Sequence, residues 1–164
     1  PQAAAPHSPA NAAAITDHDS PQFTVAYIGA CTGAKLDDLR AAAGMLKGRT
    51  VASGTRLLVA PASRADQAQA ADEGVMAILE SAGATILATA CGMCAGYGPN
   101  RLAADDVCIS STARNFRGRM GAPGSRVWLA SPASVAAAAV TGRLTDPREM
   151  APHESPRNTI GGAS

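Results

Sequence analysis

The feature that most constrains the fold of this chain is a regular alternation of short apolar runs with helical segments. The runs are FTVAYI (23–28), RLLVA (56–60), TILAT (85–89), DVCIS (106–110) and RVWLA (126–130). Strands that alternate with helices along a chain are joined by right-handed crossovers and pair in parallel. We therefore predict an α/β fold, a three-layer domain with a mostly parallel sheet and helices on both faces.

Three segments between these runs carry helical signals. The first has apolar residues at spacings of three and four, namely Leu36, Leu39, Ala43 and Leu46. The second is expected to begin in a capping box of Ser63 and Asp66 and to end at Gly83. Its predicted buried face consists of Ala68, Ala71, Val75 and Ile78. The third is expected to begin at Ser131, with Pro132 in its first turn, and to end at Gly142.

Composition along the chain suggests the domain boundaries. The first 22 residues are rich in alanine and proline, so we predict that 1–22 is a disordered linker or tail in which His7 and His18 are solvated. Residues 23–148 are expected to form the α/β domain, and 149–164 an irregular C-terminal tail. The start of the chain lacks the basic residues and apolar core of a secretory signal, and no apolar run is long enough to span a membrane.

The charge and the cysteine content narrow the classes of function that are expected for this chain. The formal net charge is +1 and no block rich in lysine or arginine occurs, so nucleic-acid binding by charge is not expected. The four cysteines are unevenly spaced, unlike the framework of a small secreted protein, and they indicate a reducing compartment such as the cytoplasm. Aromatic residues make up only 3% of the chain, so we expect a cofactor or neighbouring polypeptides to add to its stability.

The chemically suggestive residues all follow predicted strands. Cys31 follows the first, Cys91 and Cys94 follow the third, and Arg114 and Arg119 follow the fourth. Ligands of open α/β sheets bind beyond the carboxyl ends of the strands. Three separate loops therefore predict one site at this edge of the sheet.

The motif CGMC, with Cys91 and Cys94, has several possible chemistries. A redox pair needs its cysteines at a helix start, but AGYGPN follows here and disfavours a helix. A four-thiolate zinc site needs a second pair, and Cys108 is expected to be a buried strand residue. Together with Cys31, the pair could instead hold an iron–sulfur cluster in which one iron lacks a protein ligand and acts as a Lewis acid. The residues alone leave these alternatives open, along with a purely structural role.

Three segments resemble the aconitase and isopropylmalate dehydratase family. YIGACTGAKLDDLRAAAGMLKGR resembles the segment with the first cluster cysteine of that family, and TACGMCAGYGPNRLA the segment with the second and third. STARNFRGRMGAPGSRVWLASPASVAAAAVTGRLTDPR resembles the arginine-bearing segment and the last helix of the large subunit. The chain departs from the family at Gly33 and Ala34, where asparagine and serine are usual, and at Ala113, where asparagine is usual.

The resemblance implies a [4Fe-4S] cluster held by Cys31, Cys91 and Cys94, with Arg114 and Arg119 contacting a substrate carboxylate. It also implies partners. Members of the family carry further large-subunit domains ahead of this one, and a swivelling domain or small subunit supplies a serine base. We therefore expect no catalytic base in this chain, a truncation on its N-terminal side, and no turnover by the isolated chain.

The activity implied by the resemblance is that of a hydro-lyase. It would isomerise a 2-hydroxy di- or tricarboxylic acid by dehydration and rehydration. 3-Isopropylmalate, in leucine biosynthesis, is the first expectation for the substrate. Aconitase, homoaconitase or citramalate-type chemistry is the alternative within the family. A non-catalytic cluster- or zinc-binding module is the alternative outside it.

Overall fold

The computed structural model describes residues 1–150, which build one seven-stranded sheet with the order β2-β1-β7-β6-β3-β4-β5. The strands are β1 (Gln2–Ala4), β2 (Ala12–Ala14), β3 (Val25–Ile28), β4 (Arg56–Val59), β5 (Thr85–Ile86), β6 (Val107–Ser110) and β7 (Arg126–Ala130). The helices are α1 (Leu36–Leu46), α2 (Arg64–Asp72), α3 (Val75–Ser81) and α4 (Pro132–Thr141). Short 3-10 turns lie at Pro9–Asn11, Ile15–Asp17, Met93–Ala95 and Pro147–Glu149.

The five strands from β3 to β7 are parallel, as the sequence predicts. β3 is central: Val25 is opposite Arg56 of β4 on one side and Cys108 of β6 on the other. The carboxyl ends of β3, β4, β5 and β6 therefore meet at one edge. The prediction of a three-layer α/β domain with a mostly parallel sheet is confirmed.

The prediction of helices on both faces is wrong, because the four α-helices cover only one face of the sheet. Ala26 and Ile28 of β3 face the layer formed by the four α-helices, whose buried residues include Leu39 and Val135. The alternate residues face a layer of loops, where the packed side chains are Val25, Tyr27, Leu58, Ala60, Met93, Leu102, Cys108, Met120 and Val127. Glycine and proline in the segments 92–104 and 117–124 disfavour long helices, so this layer consists of loops and the 3-10 turn Met93–Ala95.

Residues 1–22, expected to be a disordered tail, instead extend the sheet. β1 pairs antiparallel with both β2 and β7, and Ala3 and Ala4 are buried. The ring of His18 is not solvated as expected: its Nε2 lies 2.8 Å from the carbonyl oxygen of Ala3, and its edge contacts Trp128 at 5.0 Å between ring centroids. Small alanine side chains allow this close packing. Most of the predicted tail 149–164 lies outside the described residues.

The predicted second helix is in fact two. Gly74 adopts a left-handed conformation, with φ of 76°, and separates α2 from α3. The break shifts the buried face, so that Ala68 and Ala71 are exposed while Ala70 is buried. The cap at Ser63 is confirmed, because its Oγ accepts a hydrogen bond from the backbone N–H of Asp66 at 3.0 Å. The Asp66 carboxylate, in turn, accepts from the backbone N–H of Leu36 at 3.1 Å and connects α2 to the start of α1.

The other helices agree with the sequence. The backbone N–H of Ser134 donates to Ser131 Oγ at the start of α4, and Gly142 ends the helix with φ of 74°. β5 is shorter than predicted and covers only Thr85–Ile86. Within residues 1–150, no helix has the length and apolar character needed to cross a membrane.

Candidate functional site

A cavity of about 260 Å³ lies at the carboxyl edge of the sheet and brings the three predicted cysteines together. Cys31 reaches it from the loop after β3, and Cys91 and Cys94 reach it from the loop after β5. Arg119 also lines the cavity. The remaining wall consists of small residues, namely Ala30, Ala60, Pro61, Ala62, Thr89 and Ala90. The strand order thus places sulfur donors from two distant segments around one space.

The turn that carries Cys31 has an unusual backbone. β3 ends at Ile28, and a side-chain carbon on Gly29 would lie 2.2 Å from the ring of Tyr27, so only glycine fits there. Ala30 is left-handed, with φ of 71°. This conformation costs a non-glycine residue about 1 to 2 kcal/mol. Backbone strain next to a candidate ligand is typical of functional sites.

Ser111 fixes this turn from the neighbouring strand end. Its Oγ accepts a hydrogen bond from the backbone N–H of Gly29 at 3.0 Å and donates to the carbonyl oxygen of Gly33 at 2.8 Å. The two segments of the backbone also approach closely, since a side-chain carbon on Gly33 would lie 2.1 Å from the Ser111 carbonyl oxygen. A single buried hydroxyl therefore joins the residues on either side of Cys31.

The second cysteine loop is a compact turn. The backbone N–H of Ala95 donates to the carbonyl oxygen of Cys91 at 3.0 Å, which closes the turn over the side chain of Met93. Met93 is buried against the loop-covered face of the sheet, whereas Cys91 is exposed and Cys94 is half-buried. The buried methionine anchors the loop, and both cysteines line the cavity.

The two candidate arginines differ in their location relative to the cavity. Arg119 Nε donates to the carbonyl oxygen of Cys94 at 3.1 Å, which orients the guanidinium at the cavity. Arg114 is exposed, bonds to the carbonyl oxygen of its neighbour Ala113, and is not among the residues that line the cavity. Only Arg119 is therefore placed beside the cysteines.

The fourth cysteine lies apart from the others. Cys108 is fully buried in β6, on the loop-covered face, and is not a lining residue of the cavity. Burial raises the pKa of its thiol, which disfavours the thiolate form that binds metal. Its location agrees with the expectation of a buried strand residue.

The donors at the cavity are cysteine thiols. All four cysteines are free of disulfide bonds. Among residues 1–150, no three His, Cys, Asp or Glu side chains converge closely enough to hold one metal ion. Iron–sulfur clusters are held by cysteine thiolates. The three cysteines that line the cavity are donors of this kind, whereas a structural zinc site needs four donors.

Two residues near the cavity were not identified from the sequence. Ser111 directly follows a strand at the same edge as the cysteines, and this position is the signal that could have singled it out. Tyr27 is a polar aromatic residue within a buried strand, and its hydroxyl has no hydrogen-bond partner among the described residues. A tyrosine in an otherwise apolar central strand is itself a signal of a buried polar contact.

Comparison with known proteins gives a consistent result. The chain matches the sequence model of the aconitase family (aconitate hydratase) over residues 2–142. It is 46% identical over 145 residues to a protein of Archaeoglobus fulgidus named 3-isopropylmalate dehydratase large subunit 2, covering 88% of this chain and 35% of that protein. It is 50% identical over 128 residues to the homoaconitase large subunit of Thermus thermophilus, covering 78% and 31%.

A third relative, the 3-isopropylmalate dehydratase large subunit of Herpetosiphon aurantiacus, is 45% identical over 150 residues, which cover 92% of this chain and 36% of that protein. The chain thus spans about a third of the length of these curated relatives. The family match extends from β1 through the end of α4 and includes both cysteine loops and the loop of Arg119. The chain belongs to the aconitase family.

Proposed function

We propose that this chain is the cluster-binding portion of a hydro-lyase large subunit that isomerises a 2-hydroxy di- or tricarboxylic acid. The observation that carries the proposal is that Cys31, Cys91 and Cys94 line one cavity. Membership of the aconitase family supports the reaction class. We favour 3-isopropylmalate as the substrate, because relatives named 3-isopropylmalate dehydratase large subunit align with most of the chain.

In this proposal Cys31, Cys91 and Cys94 hold a [4Fe-4S] cluster as thiolates. An iron of such a cluster that lacks a protein ligand supplies Lewis acidity toward a hydroxyl group. The chain's contribution is to present three sulfurs from two fixed turns and to surround the site with small side chains. The thiols must remain reduced before the cluster is bound, which favours a reducing compartment such as the cytoplasm.

Arg119 is the proposed carboxylate-binding residue of this chain. Its Nε is held by the Cys94 carbonyl oxygen, and its terminal nitrogens make no other hydrogen bond within residues 1–150. A guanidinium fixed in this way can pair with a carboxylate through its remaining N–H groups. Arg114 stays a second proposed contact, which another polypeptide or the substrate would have to bring into the site.

Two exposed aromatic side chains support the proposal that other polypeptides complete the site. Tyr97 is 72% exposed and Phe116 is 51% exposed, although the chain contains only five aromatic residues. Both lie on the loops that carry the cysteine pair and the candidate arginines. Exposed aromatic residues are typical of interfaces. We propose that further large-subunit domains and a small subunit cover this surface.

The residues lining the cavity include no Asp, Glu or His. Dehydration of a hydroxy acid also requires a base that removes a proton from the adjacent carbon. We therefore propose that the base belongs to one of the covering polypeptides, and that this chain alone has no turnover. In the assembled enzyme, this chain would bind and orient the hydroxy acid.

The decisive experiment is anaerobic reconstitution of the chain with iron and sulfide. We expect uptake of about four irons and four sulfides per chain. Cys31→Ser, Cys91→Ser and Cys94→Ser should each lower this uptake strongly, whereas Cys108→Ala is the matched control and should retain it. Activity is then measured with the full-length large subunit and its small subunit on 3-isopropylmalate and homocitrate.

The competing proposal is a zinc-binding or non-catalytic module. It predicts one tightly bound zinc per chain, no sulfide, and dependence on Cys108 as the fourth thiolate. The burial of Cys108 in β6, away from the cavity, disfavours it. Stoichiometric zinc in the purified chain that survives reconstitution would refute the cluster proposal.

A further inference from the structure

Tyr27 carries a buried hydroxyl without a partner. Its side chain is fully buried in β3, and the hydroxyl accepts or donates no hydrogen bond within the described part of the chain. Burial of a polar group without a partner is unfavourable, and native structures rarely contain such groups without a reason. The position of this hydroxyl suggests what its partner is.

The hydroxyl lies at the base of both cysteine turns. A side-chain carbon on Gly29 would be 2.3 Å from Tyr27 Oη, so the hydroxyl lies beside the residue two before Cys31. The ring packs in the same layer as Met93 and Cys94 of the second turn. The hydroxyl end of Tyr27 is therefore next to the segments that hold all three candidate sulfurs.

Tyr27 also lines a second cavity, of about 240 Å³, which shares Ala60 and Ala90 with the cysteine cavity. Its other walls include the apolar side chains of Leu87, Met93 and Pro99. Tyr97 and Asn100 also line this cavity, so a water held by their polar groups is the competing partner for the hydroxyl. A sulfur carrying negative charge is a stronger acceptor, and Cys94 packs against the same side-chain cluster as Tyr27.

We propose that the Tyr27 hydroxyl donates a hydrogen bond to a sulfur of the cysteine site, either the Cys94 thiolate or a sulfide of the group bound there. Tyr27 is then a positioning residue that stabilises the charge on sulfur. A phenolic hydroxyl is protonated near neutral pH and can donate a hydrogen bond. This inference rests on the proposed function, since the sulfur acquires its full negative charge when the group is bound.

Removing the Tyr27 hydroxyl should have effects that depend on whether the iron–sulfur group is bound. Hydrogen bonds to cluster sulfurs raise the reduction potential, so Tyr27→Phe should shift it to more negative values. Iron release to a chelator should become about three- to tenfold faster, as expected for the loss of one net hydrogen bond. The metal-free Tyr27→Phe protein should unfold at the same urea concentration as the parent or higher, because there the hydroxyl has no partner to lose.

The test compares the reconstituted parent chain with Tyr27→Phe and, as control, Tyr97→Phe. Tyr97 is the second of the two tyrosines in the chain and is mostly exposed. We expect the iron–sulfur stretching bands in resonance Raman spectra to shift in D₂O for the parent and for Tyr97→Phe. The shift should be smaller for Tyr27→Phe, together with the lower potential and faster iron release.

Each outcome decides a different claim. If all three proteins load normally and show the same bands, potential and release rate, the hydroxyl bonds to water and the inference is wrong. If the parent chain takes up neither iron nor sulfide, the proposed function fails and the inference fails with it. If metal-free Tyr27→Phe is less stable than the parent, the hydroxyl already has a hydrogen-bond partner before the group binds, and the inference is also refuted.

Discussion

Replacement of Ser111 by alanine tests how the turn of Cys31 is held. The Ser111 hydroxyl accepts from the backbone N–H of Gly29 at 3.0 Å and donates to the carbonyl oxygen of Gly33 at 2.8 Å. Both glycines are buried, so Ser111→Ala leaves two backbone groups without partners and without water. An orphaned buried group costs about 1 to 3 kcal/mol. We expect the free energy of unfolding to fall by about 2 to 4 kcal/mol.

Equilibrium unfolding in urea measures this loss. With a slope of about 2 kcal/mol per molar, the midpoint should fall by about 1 to 2 M. The second expected effect is local, because the freed turn no longer fixes the Cys31 sulfur. Reconstituted Ser111→Ala should therefore release iron faster than the parent chain.

Ser110→Ala is the matched control. Its hydroxyl is also buried and bonds to Thr112, donating to Thr112 Oγ1 at 2.9 Å and accepting from the Thr112 backbone N–H at 3.1 Å. It makes no hydrogen bond to the Cys31 turn. We expect Ser110→Ala to be destabilised as well, but to release iron at the parent rate. The reasoning is refuted if Ser111→Ala is as stable as the parent, or if both variants change iron release equally.

Three further predictions concern other features of the chain. Ala30→Gly should raise the free energy of unfolding by about 0.5 to 1 kcal/mol, because glycine tolerates a φ of 71°. An unchanged midpoint of urea unfolding would show that the backbone at Ala30 is not strained. In the metal-free folded protein, Cys108 should fail to react with a thiol reagent that modifies the other three cysteines, since it is fully buried. The Arg148 guanidinium lowers the pKa of Asp146 from 3.8 to about 2. The ion pair of Asp146 with Arg148 therefore stabilises the fold fully above pH 4, and this stabilisation is lost as the pH falls toward 2. Asp146→Asn should lack this decrease in acid unfolding curves, and an identical pH profile would refute the assignment.

Local signals explain which parts of the fold could be predicted. Spacing and caps at Leu36, Ser63 and Ser131 act within one turn of helix, and these helix starts were found. Gly74 could not be distinguished from a tolerated glycine inside a helix, and its left-handed conformation became evident only in the structure. The pairing of Ala3 with Ala130 joins opposite ends of the domain, and alanine carries almost no strand preference to reveal it.

The site was predictable to the extent that strand order determines it. Strand ends of a parallel sheet meet at one edge, and this rule placed Cys31 beside Cys91 and Cys94. The direction of a side chain within a loop follows no such rule. The loop after β6 bends at Gly118 and Gly121, both with positive φ, and this bending brings Arg119 but not Arg114 to the cavity.

The brevity of β5 has a consequence for how the domain responds to its ligand. Thr85–Ile86 forms the outermost strand of the sheet and joins β4 through only two paired positions, whereas β3 is enclosed by neighbours on both sides. A group bound by cysteines of both loops would connect this weakly paired edge strand to the centre of the sheet. Backbone amides of residues 85–98 should then exchange hydrogen much more slowly when the group is bound than when it is absent. Their exchange rate therefore reports whether the cysteine site is occupied.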